Sequence, residues 1–104
     1  MYIYNVTINV DESIHEAFLT WIKTHIPEVL ATGKFTSARL VQVMVEEEMG
    51  GTTYAVQYTA TSKENIEAYY NEDATRLRED GMKKFADKML AFRTELSVIQ
   101  DFTA

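Results

Sequence analysis

The sequence contains no cysteine, a single proline and four glycines. It also has no apolar run near the ~20 residues needed to cross a bilayer. Without cysteine there can be no disulfide, no thiolate nucleophile and no Cys-ligated zinc. Bases are scarce as well: 10 Lys and Arg stand against 16 Asp and Glu, a net charge of −6. A chain that grips nucleic acid needs a basic surface to displace counterions from phosphates. Here the nearest basic run, Lys83-Lys84, is offset by Glu79, Asp80 and Asp87. Anionic membranes repel the same charge. Neither nucleic acid nor a membrane is an expected partner. Met1-Tyr2-Ile3-Tyr4-Asn5 runs straight into a strand pattern, with no basic or apolar leader region, so a cytoplasmic location is expected.

What is present is ordinary globular material: 104 residues, 46% hydrophobic and 25% charged, enough for one domain spanning 1–104. Residues 2–10 alternate, with Tyr2, Tyr4, Val6, Ile8 and Val10 on one side, as in a half-buried strand. Asp11 is placed to cap a helix, with Glu12 in its first turn. From Ser13 the period becomes helical, and Ile14, Ala17, Phe18, Trp21, Ile22 and Ile26 share one sector. Pro27 predicts an end or kink at Ile26. A further turn at most would follow before Gly33, a natural stop. Residues 35–48 read as a second strand, with Val41, Val43 and Val45 on one side and Leu40 and Met44 on the other. Gly50-Gly51 signals a hairpin. Thr53 to Ala60 is the return strand, with Tyr54, Val56 and Tyr58 facing one way. Ser62 and Asn65 resemble a weakened capping box. Helical character then extends from about residue 63 to 90. Ile66, Tyr70, Ala74 and Leu77 share a face before the stripe drifts toward Phe85 and Met89. Gly81 is expected to break this segment in two. Phe92, Leu96 and Val98 alternate with Arg93, Glu95 and Ser97 as a last strand, and residues 101–104 read as a tail.

The order βαββαβ is the split βαβ pattern, an α+β ferredoxin-like fold: a four-stranded antiparallel sheet with both helices on one face. The other face is left bare. A second strand apolar on both sides would expose more apolar area than a soluble monomer tolerates. A homodimer packed through the open sheet face is therefore expected, although isolated exposed valines on a monomer are also common.

Candidate chemistry centres on His25, which lies about 20° around the helix from Ile14 and so within the apolar stripe. It could be an acid/base group at the mouth of a pocket, or a structural histidine bonded to a carbonyl near Pro27. Burial and the helix C-terminus push its pKa in opposite directions, so neither direction follows. His15 reads as a partly solvated helix residue. The two histidines lie ~15 Å apart on a straight helix, too far to share a metal. No HxxxH, HExxH or carboxylate-rich loop occurs, so no metal site or cofactor is expected. Trp21, Tyr54, Tyr58, Tyr69 and Tyr70 could line a cavity for a small apolar or aromatic ligand, or could be plain core. Arg76, Arg78 and Arg93 could clamp an anion, yet Glu79 and Asp80 supply local counter-charge, so a solvated helix face is the expected reading. Phosphate-binding loops and the G-x-S-x-G nucleophile motif are absent.

Three stretches carry a resemblance: YNVTINVDESIHEAFLTWI, HIPEVLATGKFTSARL and YNEDATRLREDGMKKFADKMLAFRTELSVI. Together they are similar to a bacterial family of unknown function, domain of unknown function 4286. More distantly, Trp21, His25 and Pro27 at the end of the first helix, followed by Gly33, resemble the dimeric α+β barrel superfamily. That resemblance implies two ferredoxin-like subunits packed sheet to sheet. The superfamily includes cofactor-independent monooxygenases, small-molecule isomerases, polyketide cyclases, haem-degrading enzymes and members without known catalysis. Some cyclase- and isomerase-like relatives border their pocket with a histidine at the position of His25. The haem-degrading members place their histidines elsewhere, so haem is not carried over. The resulting expectation is a small-molecule-binding or interaction module, with a His25-dependent, cofactor-independent enzyme as the alternative.

Overall fold

A computed structural model describes residues 1–48 and 50–104. Its elements run β1 (Tyr2–Val10), α1 (His15–Leu30), β2 (Ser37–Gln42), β3 (Thr52–Ala60), α2 (Lys63–Tyr69), α3 (Thr75–Phe85) and β4 (Met89–Ser97). A single 3-10 turn, Glu12–Ile14, precedes α1, and a π-helical turn, Tyr70–Ala74, joins α2 to α3. The strands form one antiparallel sheet in the order β2-β3-β1-β4. This is the expected ferredoxin-like architecture.

Strand β1 sits in the middle and fixes which side is core. Tyr4, Val6, Ile8 and Val10 are buried, while Ile3, Asn5, Thr7 and Asn9 between them are half-buried. Registered opposite the buried set are Tyr58, Val56 and Tyr54 of β3 and, from β4, Glu95, Arg93, Ala91 and Met89. The rings of Phe35, Tyr58, Tyr69 and Tyr70 all lie 5.4–5.9 Å from the Tyr4 ring. Such pairs add about 0.5–1.5 kcal/mol each beyond simple burial. Asp11 accepts from the Ser13 N–H at 2.9 Å, and the Ser62 hydroxyl accepts from the Asn65 N–H at 3.2 Å, so both expected caps form.

Four local expectations are corrected. The second strand ends at Gln42 instead of running to residue 48. Met44 and Val45 lie in the following loop, exposed, and the Glu47 carboxylate accepts from the Thr53 hydroxyl at 2.7 Å. The open sheet face is therefore less apolar at β2 than alternation implied: it keeps Val41, Ala55 and Ile3, and its exposed large apolar residues are Leu90, Phe92 and Leu96 of β4. Pro27 does not end α1, which continues to Leu30. Proline costs a helix interior one hydrogen bond, but Pro27 and its neighbour Lys23 are exposed, so water can satisfy the freed carbonyl. Burial of Val29 holds the last turn on the core. Gly33, with φ of 78°, then stops the chain as expected.

Gly81 does not break its helix either. It is buried in α3, and a Cβ there would lie 2.6 Å from Cη2 and Cζ2 of Trp21. The glycine exists for this approach between α1 and α3. The drift of the apolar stripe has its own cause: the π turn inserts a residue, so Tyr69 and Ala74, five apart, are buried on one face while Tyr70 is half-buried. The turn is anchored by Asp73, which meets Lys34 at 3.2 Å and Arg76 at 3.0 Å.

These contacts generate a test at Gly81. Alanine should raise helix propensity by about 1 kcal/mol, while overpacking against the indole costs about 1–3 kcal/mol. Gly81→Ala is expected to lower the urea midpoint and shift Trp21 fluorescence. A stabilised variant with unchanged emission would show that the indole moves aside freely.

Candidate functional site

The underside of α1 and α3 does not close completely on the sheet. A cavity of about 50 Å³ remains, walled by Val6, Ile8 and Val56 of the sheet core, by Trp21, Ile22 and His25 of α1, and by Met89 and Ala91 of β4. Arg78 and Met82 of α3 and Arg93 of β4 border it too, as do Tyr4, Tyr58 and Tyr69. This volume holds a few waters and falls well short of the several hundred Å³ usual for ligand pockets. Met82, 60% exposed, and the exposed Arg93 are unbranched side chains able to swing outward and enlarge it.

Alpha-helical spacing puts His25 one turn beyond Trp21, and the two rings stack with centroids 4.5 Å apart. The indole is pinned on its other edges: Nε1 donates to Asp80 at 2.9 Å, and Phe85 meets the ring at 75°. His25 is half-buried, and among the described residues it has no hydrogen-bond partner. It is therefore not tied to a carbonyl near Pro27. The same Trp21–His25 pair borders a wider groove of about 410 Å³ on the outer side of the helices, next to Thr24, Glu28 and Lys84.

The structure brings Trp21, His25, Tyr58 and Tyr69 of the expected residues to this one cavity and leaves Tyr54 and Tyr70 outside its lining. Tyr54 is buried nearer the start of α1, stacked on His15 and hydrogen-bonded to its Nε2. Tyr70 stands edge-on to Tyr4, with the Arg78 guanidinium 5.6 Å over its ring. Tyr54 is held by a partner away from the cavity, whereas Tyr70 lies behind two cavity residues, Tyr4 and Arg78. Three cavity residues carry function-bearing groups that sequence spacing did not single out as a set: Tyr4, Arg78 and Arg93. Arg78 was read as lying on a solvated face; instead its Nη2 donates to the Tyr4 hydroxyl at 2.7 Å. The only available signal was that β1 alternation points Tyr4 at the helices.

Burial, reinforced by the Arg78 charge and less by Arg93, lowers the His25 pKa from 6.5 to about 4, with Asp80 pulling the other way more strongly than Arg93 pushes. The ring is neutral at pH 7. Burial, with neighbouring tyrosines, holds the Tyr58 hydroxyl far above its ordinary range and pushes Tyr69 up to about 12. Both remain O–H donors. Between pH 6.5 and 4 the unfolded chain binds a proton at His25 that the folded chain resists. Stability is thus lost as pH falls through that window. His25→Gln removes this contribution. Relative to the variant, the native protein should lose about 1–2 kcal/mol between pH 7 and pH 4.5, allowing for solvent screening of a half-buried ring. Urea titrations of both proteins at the two pH values measure it, and parallel losses would place the imidazole in full contact with water.

Among curated proteins none matches the sequence. Solved structures show the fold. A dimeric ferredoxin-like protein from an uncultured marine organism is 18% identical with a TM-score of 0.72, and all of each chain is covered. A second protein so described, also from an uncultured marine organism, is 13% identical at a TM-score of 0.70, with 97% of each chain covered. SnoaB, a cofactor-independent oxygenase from Streptomyces nogalater, is 8% identical at 0.70, covering 99% of this chain and 98% of its own. At these identities the likeness speaks for the fold alone. By its sequence, matched over residues 1–99, the chain belongs to the family described as Domain of unknown function (DUF4286).

Proposed function

We propose that this chain is a homodimeric protein that binds a small, partly apolar molecule in the cavity between α1, α3 and the sheet. The observation that carries the reading is His25: a neutral, unpartnered imidazole stacked on Trp21 and facing an apolar cavity. Pockets with a few polar groups set among apolar walls are the usual form of small-molecule sites. The ligand would enter past Met82 and Arg93 and lie against Trp21, Met89 and Ala91, with Tyr58 at its floor.

An enzyme is the second reading, favoured by the same free imidazole and by the fold shared with SnoaB. A ring that protonates only near pH 4 is a weak base at neutral pH, and among the described residues no side chain hydrogen-bonds to it. Binding without catalysis therefore has the stronger support.

Dimerisation is proposed through the open face. Leu90, Phe92 and Leu96 are 59%, 61% and 41% exposed there. Dimeric ferredoxin-like neighbours of the same fold point the same way. The centre of this face is polar, with Asn5, Thr7 and Gln57, so the apolar strip along β4 would supply the anchor.

Two measurements test these proposals. Small neutral and charged aromatic molecules, titrated by NMR, should perturb the Trp21 indole N–H and the Met82 and Met89 methyls. Perturbations absent, or confined to Thr24 and Glu28 in the outer groove, would defeat the cavity reading. By light scattering at micromolar concentration the native protein should be a dimer and Phe92→Glu a monomer. A native monomer would end the dimer proposal.

A further inference from the structure

The cavity carries a sign of charge that the molecule as a whole does not. Arg78 reaches it between the Tyr4 hydroxyl and the Tyr70 ring, with no carboxylate attached. Its acidic neighbours are occupied: Glu79 meets Lys83 at 2.9 Å, and Asp80 accepts from Trp21 at 2.9 Å and lies 3.5 Å from Lys84. Arg93 points to the same cavity from β4, opposite Val6, and makes no hydrogen bond or ion pair among the described residues. Glu95, next on that side of the strand, pairs with neither arginine within 4.0 Å. The remaining polar side chains at the cavity, the Tyr58 and Tyr69 hydroxyls and His25, can all donate a hydrogen bond. No Asp or Glu borders it. In a chain of net charge −6 this is a doubly cationic lining rich in hydrogen-bond donors.

Arg78, half-buried and turned toward an apolar space without a counter-ion, bears a desolvation cost that a ligand anion would relieve, and the exposed Arg93 adds a second charge at the mouth. We infer that the ligand is a small monoanion, an apolar or aromatic carboxylate whose acid group is shared by Arg78 and Arg93 while its body lies against Trp21. This rests on the cavity reading above and adds the ligand's chemical class. One negative charge fits better than several, because the acidic surface opposes the approach of a highly charged anion. Two planar forks also match a carboxylate's paired oxygens.

The test uses matched probes on the intact protein: benzoate, 4-hydroxybenzoate and cinnamate against their amides. They are titrated by NMR at the Trp21 indole and the Met82 and Met89 methyls. The acids should bind at least about tenfold more tightly than the amides. Arg93→Gln, at an exposed position, should erase that preference, so that acid and amide bind the variant alike. Acids and amides of equal affinity at the cavity would overturn the anion assignment yet leave a small-molecule site in place. Acid preference that survives Arg93→Gln and Arg78→Gln alike would overturn it too. Silence from both classes up to about 10 mM would remove the site itself, and the assignment with it.

Discussion

The approach of the Trp21 indole to Gly81 governs the spacing of α1 and α3, and with it the shape of everything beneath them. An indole needs a flat bed, and a residue without a side chain provides one. The glycine costs the helix about 1 kcal/mol of intrinsic stability, which the contacts of Trp21 with Phe18, Phe85 and Asp80 offset. Because His25 stacks on that ring, its surroundings depend on where the indole is held. Had α3 stood farther off, the imidazole would have no fixed neighbour. The cavity would then open directly into the outer groove.

Why some of this was legible in the sequence and some was not follows from range. Strict alternation along β1 has one interpretation once a face is buried, since a one-residue slip would invert it. The helical stripe of α1, both caps and the stop at Gly33 are equally local signals, and they led to the right fold. The extent of β2 was not local. Val43 and Val45 alternate as strand residues do, but Glu47 is drawn to Thr53, and the chain leaves the sheet after Gln42. Pro27 and Gly81 carry breaking signals that tertiary burial overrode, through Val29 in one case and Trp21 in the other. The π turn lay beyond a reading based on a 3.6-residue period. Ile66, Tyr70, Ala74 and Leu77 fit an ordinary helix, and only packing of Tyr69 onto Tyr4 and Phe35 selects the inserted residue.

The candidate site divides along the same line. His25, Trp21 and Tyr58 could be placed because each belongs to a periodic face directed at the core. Arg78 could not, since counting charges along the helix assigns it to Glu79 and Asp80. Those carboxylates are taken, Asp80 in part by an indole 59 residues away. Tyr54 was drawn in by its neighbours Val56 and Tyr58 on the strand. Its position farther along β3 carries it past the cavity to His15, a pairing that only the register of β3 with the start of α1 reveals.

Charge and proton affinity at the cavity are two expressions of one arrangement. After burial, the arginine charges are the next largest influence keeping His25 unprotonated, and their partial exposure to water is what makes the arrangement tolerable. An anion seated between them would cancel much of that influence. It would also exclude water that now screens the guanidinium groups. The imidazole would feel less repulsion from the arginines and, at the same time, deeper burial. On the proposed reading, occupancy of the arginine pair and the proton affinity of His25 are linked through one lining, the seated anion acting for protonation and the burial it deepens acting against it.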